Sequence, residues 1–274
     1  GRGHSIVKQG AQPSPDPAAT SGVRTVTPDA DDDFVGVAVT ATSSDDIAGV
    51  GVSAAISGTA GVGVGGSVNV VTNRTLAFVG RIAQVTAGSA GHPASVIVAA
   101  GHELSMLMVS AVAAGGTAGV GVSATVGVVD LDTDAELRQG AVVTSTADTV
   151  VAAHGRESMV AVAATASGGF VGVAGAVTVI VLDVHTHATL QRVTVDAGGS
   201  VVVDASDDTS IVVVAGGAAG GFVGVGIGVG VTSATKDTQA FVAAGAVIDA
   251  DGAADPVGGI LTGGFGGSAF GDFG

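Results

Sequence analysis

The stretch Gly224-Val225-Gly226-Ile227-Gly228-Val229-Gly230-Val231 alternates glycine with a branched side chain throughout. A period of two is strand geometry, because successive side chains leave a pleated strand on opposite faces. One face of this strand is branched and the other carries almost no side chain. The same alternation runs from Gly119 to Val128 and opens at Gly61-Val62 and Gly172-Val173. The branched face is expected to fill a core. The glycine face is expected to be a packing surface, either between two sheets of one coil or between neighbouring rods.

Working outward, each alternating stretch opens on a Gly-Val anchor: Gly61, Gly119, Gly172 and Gly224. A Thr-x-Ala-x-(Val/Leu) signature follows, beginning at Thr75, Thr133, Thr186 and Thr238, so that both series step by 58, 53 and 52 residues. A polar position precedes each anchor by 16 residues, at Asp45, Glu103, Arg156 and Asp208, with Asp46, His102, Glu157 and Asp207 beside them. Three columns holding one register define a repeat of about 53 residues. The longer first step places an extruded loop at Gly88-Ser89-Ala90-Gly91-His92-Pro93.

A repeat that cannot bury its own apolar face does so by stacking on its neighbour. The expected fold is therefore all-β, a β-solenoid of the right-handed parallel β-helix type over residues 34–252. The spacing predicts two three-stranded coils per repeat, about eight coils, and a rod roughly 40 Å long at about 4.8 Å per coil. One large flattened coil per repeat is the alternative. The polar column is expected to mark a solvated corner. Residues 1–33, with Pro13, Pro15, Pro17 and the Asp29 to Asp33 cluster, read as an arm or linker, and residues 253–274 as a Gly/Phe-rich tail.

Composition narrows the function. The 274 residues carry 24 acids against 9 bases, a formal charge of −15, which repels nucleic acid and anionic lipid. There is no cysteine, hence no disulfide scaffold and no thiolate metal site. Runs without Asp, Glu, Lys or Arg span 47–73, 104–129, 158–182 and 209–235, each long enough for a membrane helix. Their glycine load and period of two oppose helix, and no Trp or Tyr belt marks a membrane boundary for helices or for an outer-membrane barrel. A protein that does not span a membrane is expected. An elastin-like disordered chain would need no fixed polar register.

The run Gly216-Gly217-Ala218-Ala219-Gly220-Gly221-Phe222-Val223-Gly224-Val225-Gly226, leading to Asp237-Thr238-Gln239-Ala240-Phe241-Val242, resembles the repeats of large bacterial filamentous adhesins of the leukotoxin type. The resemblance covers about 34–252. It implies a segment of a secreted or cell-surface protein, with a possible host or cell-surface receptor and no catalytic residues. The chain departs from the family in being short, in lacking a signal peptide, and in carrying Glu136 and Thr189 where Phe78 and Phe241 stand in the other copies.

Few groups invite chemistry. Asp130, Asp132, Asp134 and Glu136 alternate with Leu131, Thr133, Ala135 and Leu137, so the four acids share one strand face. Such a row can bind calcium, yet it lacks the glycine and distal glutamate of a calcium loop, and a solvated edge is the simpler reading. His185 and His187 share a face in the columns of Asp132 and Asp134, and with Asp183 could chelate zinc or copper. No catalytic site, cofactor site or metal site is assigned. A carbohydrate-active β-helix enzyme would need aromatic platforms and paired carboxylates, and no Trp or Tyr is present. An ice-binding solenoid would need recurring threonine pairs; only Thr40 with Thr42 and Thr144 with Thr146 occur. The function expected is a non-catalytic segment of an adhesin or extracellular filament. No amphipathic capping helix is visible at either end, so subunits are expected to stack head to tail, bridged by the arm and by Phe265, Phe270 and Phe273.

Overall fold

The computed structural model describes residues 35–252; the expected arm, the tail and its Phe265, Phe270 and Phe273 lie outside them. The described chain contains twelve strands in four equivalent coils. The first coil holds β1 (Gly36–Ile56), β2 (Ala60–Val79) and β3 (Gln84–Ala87), and the second β4 (Ser95–Gly115), β5 (Ala118–Leu137) and β6 (Val142–Ser145). The third holds β7 (Thr149–Gly168), β8 (Val171–Leu190) and β9 (Thr194–Ala197), and the fourth β10 (Val201–Gly220), β11 (Val223–Val242) and β12 (Val247–Ala250). Stacking gives three parallel sheets, ordered β1-β4-β7-β10, β2-β5-β8-β11 and β3-β6-β9-β12. This is a parallel β-solenoid.

Each repeat makes one large coil, which corrects the expectation of two. Two strands of about 20 residues, each about 65 Å long, consume most of a repeat before the short third strand closes the turn. The stack is therefore four coils rather than eight, about 19 Å deep rather than 40 Å. The anchors Gly61, Gly119, Gly172 and Gly224 stand side by side, as do Thr75, Thr133, Thr186 and Thr238. The polar column is Ser44, Glu103, Arg156 and Asp208, one residue from the expected Asp45. The first turn, at 57–59, has one more residue than 116–117 or 169–170. That column lies within long strands rather than at a corner, because the strands run straight through the polar positions. The loop after β3 occupies 88–94, against three residues in the later coils.

The second correction concerns the valines, which face outward. Val62, Val64, Val68 and Val70 are 64%, 70%, 71% and 69% exposed, while the glycines between them turn toward the other sheet. The reason is steric. A Cβ on Gly119 would lie 2.6 Å from the Gly168 carbonyl oxygen, and one on Gly224 would lie 2.6 Å from that of Ala219. The two long sheets meet backbone to backbone at this end; glycine, alanine, serine and threonine predominate between them, and the buried Val112 is seated over Gly63, Gly65 and Gly121. Of the two roles expected for the glycine face, it is the contact within a coil.

The interior changes along the strands. Beside the third sheet, Val96, Val98, Ala135, Leu137, Val143 and Val195 fill a triangular core. Leu104, Met106, Met108, Leu131, Ile180 and Leu182 fill a second cluster further out. Toward the turns hydroxyls take over: the Ser110 and Thr125 hydroxyls are 2.8 Å apart, and Thr165 donates to the Gly175 carbonyl at 2.8 Å. Buried hydroxyls paired this way avoid an unsatisfied desolvation cost.

The inside-out arrangement is tested by paired substitutions. Gly119→Leu should destabilise the coil by about 1–3 kcal/mol or more through overpacking, whereas Val122→Ser on the outer face should stay within about 0.5 kcal/mol. Thermal denaturation followed by circular dichroism measures both, and a larger loss from Val122→Ser would reverse the assignment of faces.

Candidate functional site

Parallel in-register stacking lays the outward residues of β2, β5, β8 and β11 in a grid. One row reads Thr72, Asp130, Asp183, Thr235; the next reads Arg74, Asp132, His185, Asp237; the third reads Leu76, Asp134, His187, Gln239. The structure thus brings the acidic row and the two histidines together on one surface. Alternation puts both histidines outside, and the repeat puts Asp132 and Asp237 on either side of His185, and Asp134 and Gln239 on either side of His187.

His185 Nδ1 lies 3.4 Å from Asp132 and its Nε2 3.9 Å from Asp183. His187 lies 3.5 Å from Asp134 and 3.4 Å from Asp237. Arg74 adds an ion pair to Asp134 at 3.1 Å. Asp130, Asp132 and His185 bring one ligand atom each within 4.8 Å of one another, a donor set of two carboxylates and one imidazole. That set suits a divalent cation of zinc type better than calcium, which takes oxygen ligands alone. Glu136 is drawn away to Arg138 at 2.7 Å. Asp237 is held below the usual carboxylate range, first by the Gln239 amide and then by His187.

A second polar group lies between the sheets; from sequence its Glu157 and Asp207 read only as neighbours of the polar column. Glu157, Asp207 and Lys236 point inward from three strands, with Lys236 ion-paired to Asp207. Thr209 donates to Glu157 at 2.7 Å and Thr186 to Asp207 at 3.1 Å. Burial, then the Asp207 charge, pushes the Glu157 carboxyl up to about 8. The clue available in sequence was parity: Glu157 and Asp207 share the parity of their strands' inward positions, whereas Arg156 and Asp208 share that of the outward ones. His102 is buried with Nε2 3.6 Å from Asp45, and burial lowers its pKa against the opposing pull of Asp45. His154, hydrogen-bonded to Ser206 at 2.7 Å, is pushed down to about 3 by burial.

A shallow depression of about 470 Å³ lies on the β4-β7-β10 sheet, lined by Ala111, Ala164, Ala166, Gly216 and Ala218 among others, with no titratable side chain. The threonine pair at Thr40 and Thr42 finds Ala99 and Gly101 beside it, so no threonine ladder crosses the sheet. No helix among the described residues is long and apolar enough to cross a membrane. Comparison with protein-family models, with curated proteins and with solved structures finds no match to this chain.

Glu157 sets a pH dependence. Its folded pKa, about 8, lies above the unfolded value of 4.5, so its stabilising contribution is complete below about pH 4.5 and is lost as pH rises through 8. Glu157→Gln keeps the hydrogen-bonding shape without the charge. Melting at pH 5 and pH 9 should show the variant gaining on the wild type at the higher pH; a constant difference would place Glu157 in an ordinary solvated setting.

Proposed function

We propose that the chain is a non-catalytic structural segment of a secreted or cell-surface adhesin or extracellular filament, assembled by end-to-end stacking of coils. The observation that carries this reading is the match between the two ends. Among the described residues, the outer edges of β1, β2 and β3 and of β10, β11 and β12 pair with nothing, and such edges template further strands. The columns are complementary across that junction: Arg74 of one copy falls in the column of Asp237 of the next, and Phe78 falls in that of Phe241. A heterologous contact of this kind does not close and makes a filament. The extracellular setting is supported by the resemblance of the Gly216–Gly226 run.

Electron microscopy and light scattering over a wide concentration range test the stacking. Fibres are expected, Asp237→Arg should shorten them, and Asp237→Arg combined with Arg74→Asp should restore them. A stable monomer at all concentrations contradicts the reading.

A cation-binding module is a second reading, favoured by the Asp130, Asp132 and His185 cluster. Calorimetric titration with zinc should then give saturable binding that Asp132→Asn weakens about tenfold or more. Heat no different from buffer removes this reading.

A further inference from the structure

The valines that the fold turns outward bound half of the molecule. On one sheet Val62, Val68 and Val177 are exposed; on the other sheet Val50, Val52 and Val214 are exposed. At the turns that join them Phe170 and Phe222 are 61% and 82% exposed and stack with ring centroids 5.2 Å apart. Each outer face is a strip four strands wide, on the order of 600 Å², and two such faces exceed what monomers ordinarily leave in water.

The boundary of this surface is ionic. On one sheet Glu103, Arg156 and Asp208 mark it in one row, with Asp46 two positions nearer the turn; on the other Asp130 and Asp183 mark it in one row, with Arg74 and Asp237 two positions further from the turn. Glu103 precedes the turn residue Gly116 by 13 positions, and Asp130 follows Thr117 by 13, so the two charged rows stand at one height. Between these rows and the turns the only Asp, Glu, Lys or Arg among the described residues are Asp45, Asp46 and Glu157, all within two positions of the boundary. The apolar rows, as from Ala118 to Val128 or Val171 to Val181, rise about 30–35 Å, the thickness of the hydrocarbon layer of a bilayer.

We propose that this half of each coil is a blade that inserts into the hydrocarbon of a lipid bilayer. Lipid demands a structure whose backbone polar groups are paired within it and whose polar side chains point inward. The blade has that polarity: long in-register ladders, valine outside, and the Ser110 and Thr125 hydroxyls paired between the sheets. The unpaired strands at the two ends need a partner inside the lipid, and there the inference rests on end-to-end stacking. A neighbouring rod of the same chain would cover one face and leave the other face and the phenylalanine turns bare; acyl chains cover all three together. The expectation drawn from sequence placed the valines in the core and left no surface for lipid. The outward valines supply one, and it is bounded by charge rather than by Trp and Tyr.

Flotation of the full chain with vesicles of zwitterionic phosphatidylcholine tests this, with parallel lipid-free light scattering. The wild type should rise with the vesicles, and less so when anionic lipid is added, because the net charge of −15 lies outside the blade. Val177→Arg and Val214→Arg, exposed on opposite faces midway along the blade, should each cut the floated fraction about tenfold or more, while Thr72→Arg at the charged boundary should not. Circular dichroism verifies that the strands persist, and Val177→Ser provides a milder second variant with a smaller loss. A wild type that stays with the soluble fraction, or arginine variants that float as well as it does, overturns insertion. Loss of lipid-free association by Val177→Arg without any flotation of the wild type assigns the face to contacts between copies and also overturns it. Flotation without lipid-free fibres keeps insertion and removes stacking.

Discussion

The close approach of the two long sheets governs the rest of this molecule. Where backbone meets backbone, as at Gly119 against Gly168 and Gly224 against Ala219, a Cβ on the glycine already meets a carbonyl oxygen, so no branched side chain fits at those positions. The valines that alternate with these glycines have only the other face to occupy. The same constraint decides coil size: with nothing bulky to enclose, the coil flattens, and about 53 residues make one turn rather than two. The polar belt around Glu157, Asp207 and Lys236 sits where the layers must separate to pass from the thin half to the triangular half.

Much of this was legible in the residues. The four anchors and the Thr-x-Ala signature fixed strand class, repeat length and parallel stacking, and each is found in register; the loop read at 88–93 is found at 88–94. The outward row from Asp130 to Glu136, with His185 and His187 beside it, followed from alternation and repeat length together. What alternation cannot supply is which face is inside, since shifting a strand by one residue exchanges the faces completely. Apolar character was the wrong criterion at the glycine stretches and the right one near the third sheet, where Val96, Val98 and Val143 do form a core. The difference is sheet separation, a property of the closed coil that no single strand carries. The slip at Asp45 has a similar origin, one extra residue in a turn that leaves the alternation untouched.

The electrostatics follow from stacking more than from individual sites. Parallel in-register strands place equivalent residues side by side, so a charge repeated in every coil would form a repulsive ladder. This sequence avoids one. Arg74, Asp132, His185 and Asp237 mix signs along one row, and Glu103, Arg156 and Asp208 alternate along another. Inside, Lys236 offsets Asp207, while Glu157 keeps its proton near neutral pH rather than adding a second buried negative charge. The charged residues that specify order within the stack are thereby the ones that distinguish otherwise similar coils.

The two halves of a coil are stabilised in different ways, and this bears on why coils are repeated. The triangular half has a packed core of alanine, valine and leucine, and the short third strand closes it within each repeat. The flattened half buries little apolar surface between its sheets toward the turns and depends on hydrogen-bonded ladders, backbone contact and whatever covers its outer valines. Ladder bonds belong to pairs of coils, so their number grows with each coil added, while the unpaired edges remain two however long the stack becomes. A coil with this shape is therefore poorly suited to stand alone and increasingly stable in an array. The five additional residues of the first step are accommodated accordingly: four enter the loop at 88–94 and one the start of β4, where Ser95 pairs with Gly36 at the end of the ladder, and the strands that carry the array keep their register.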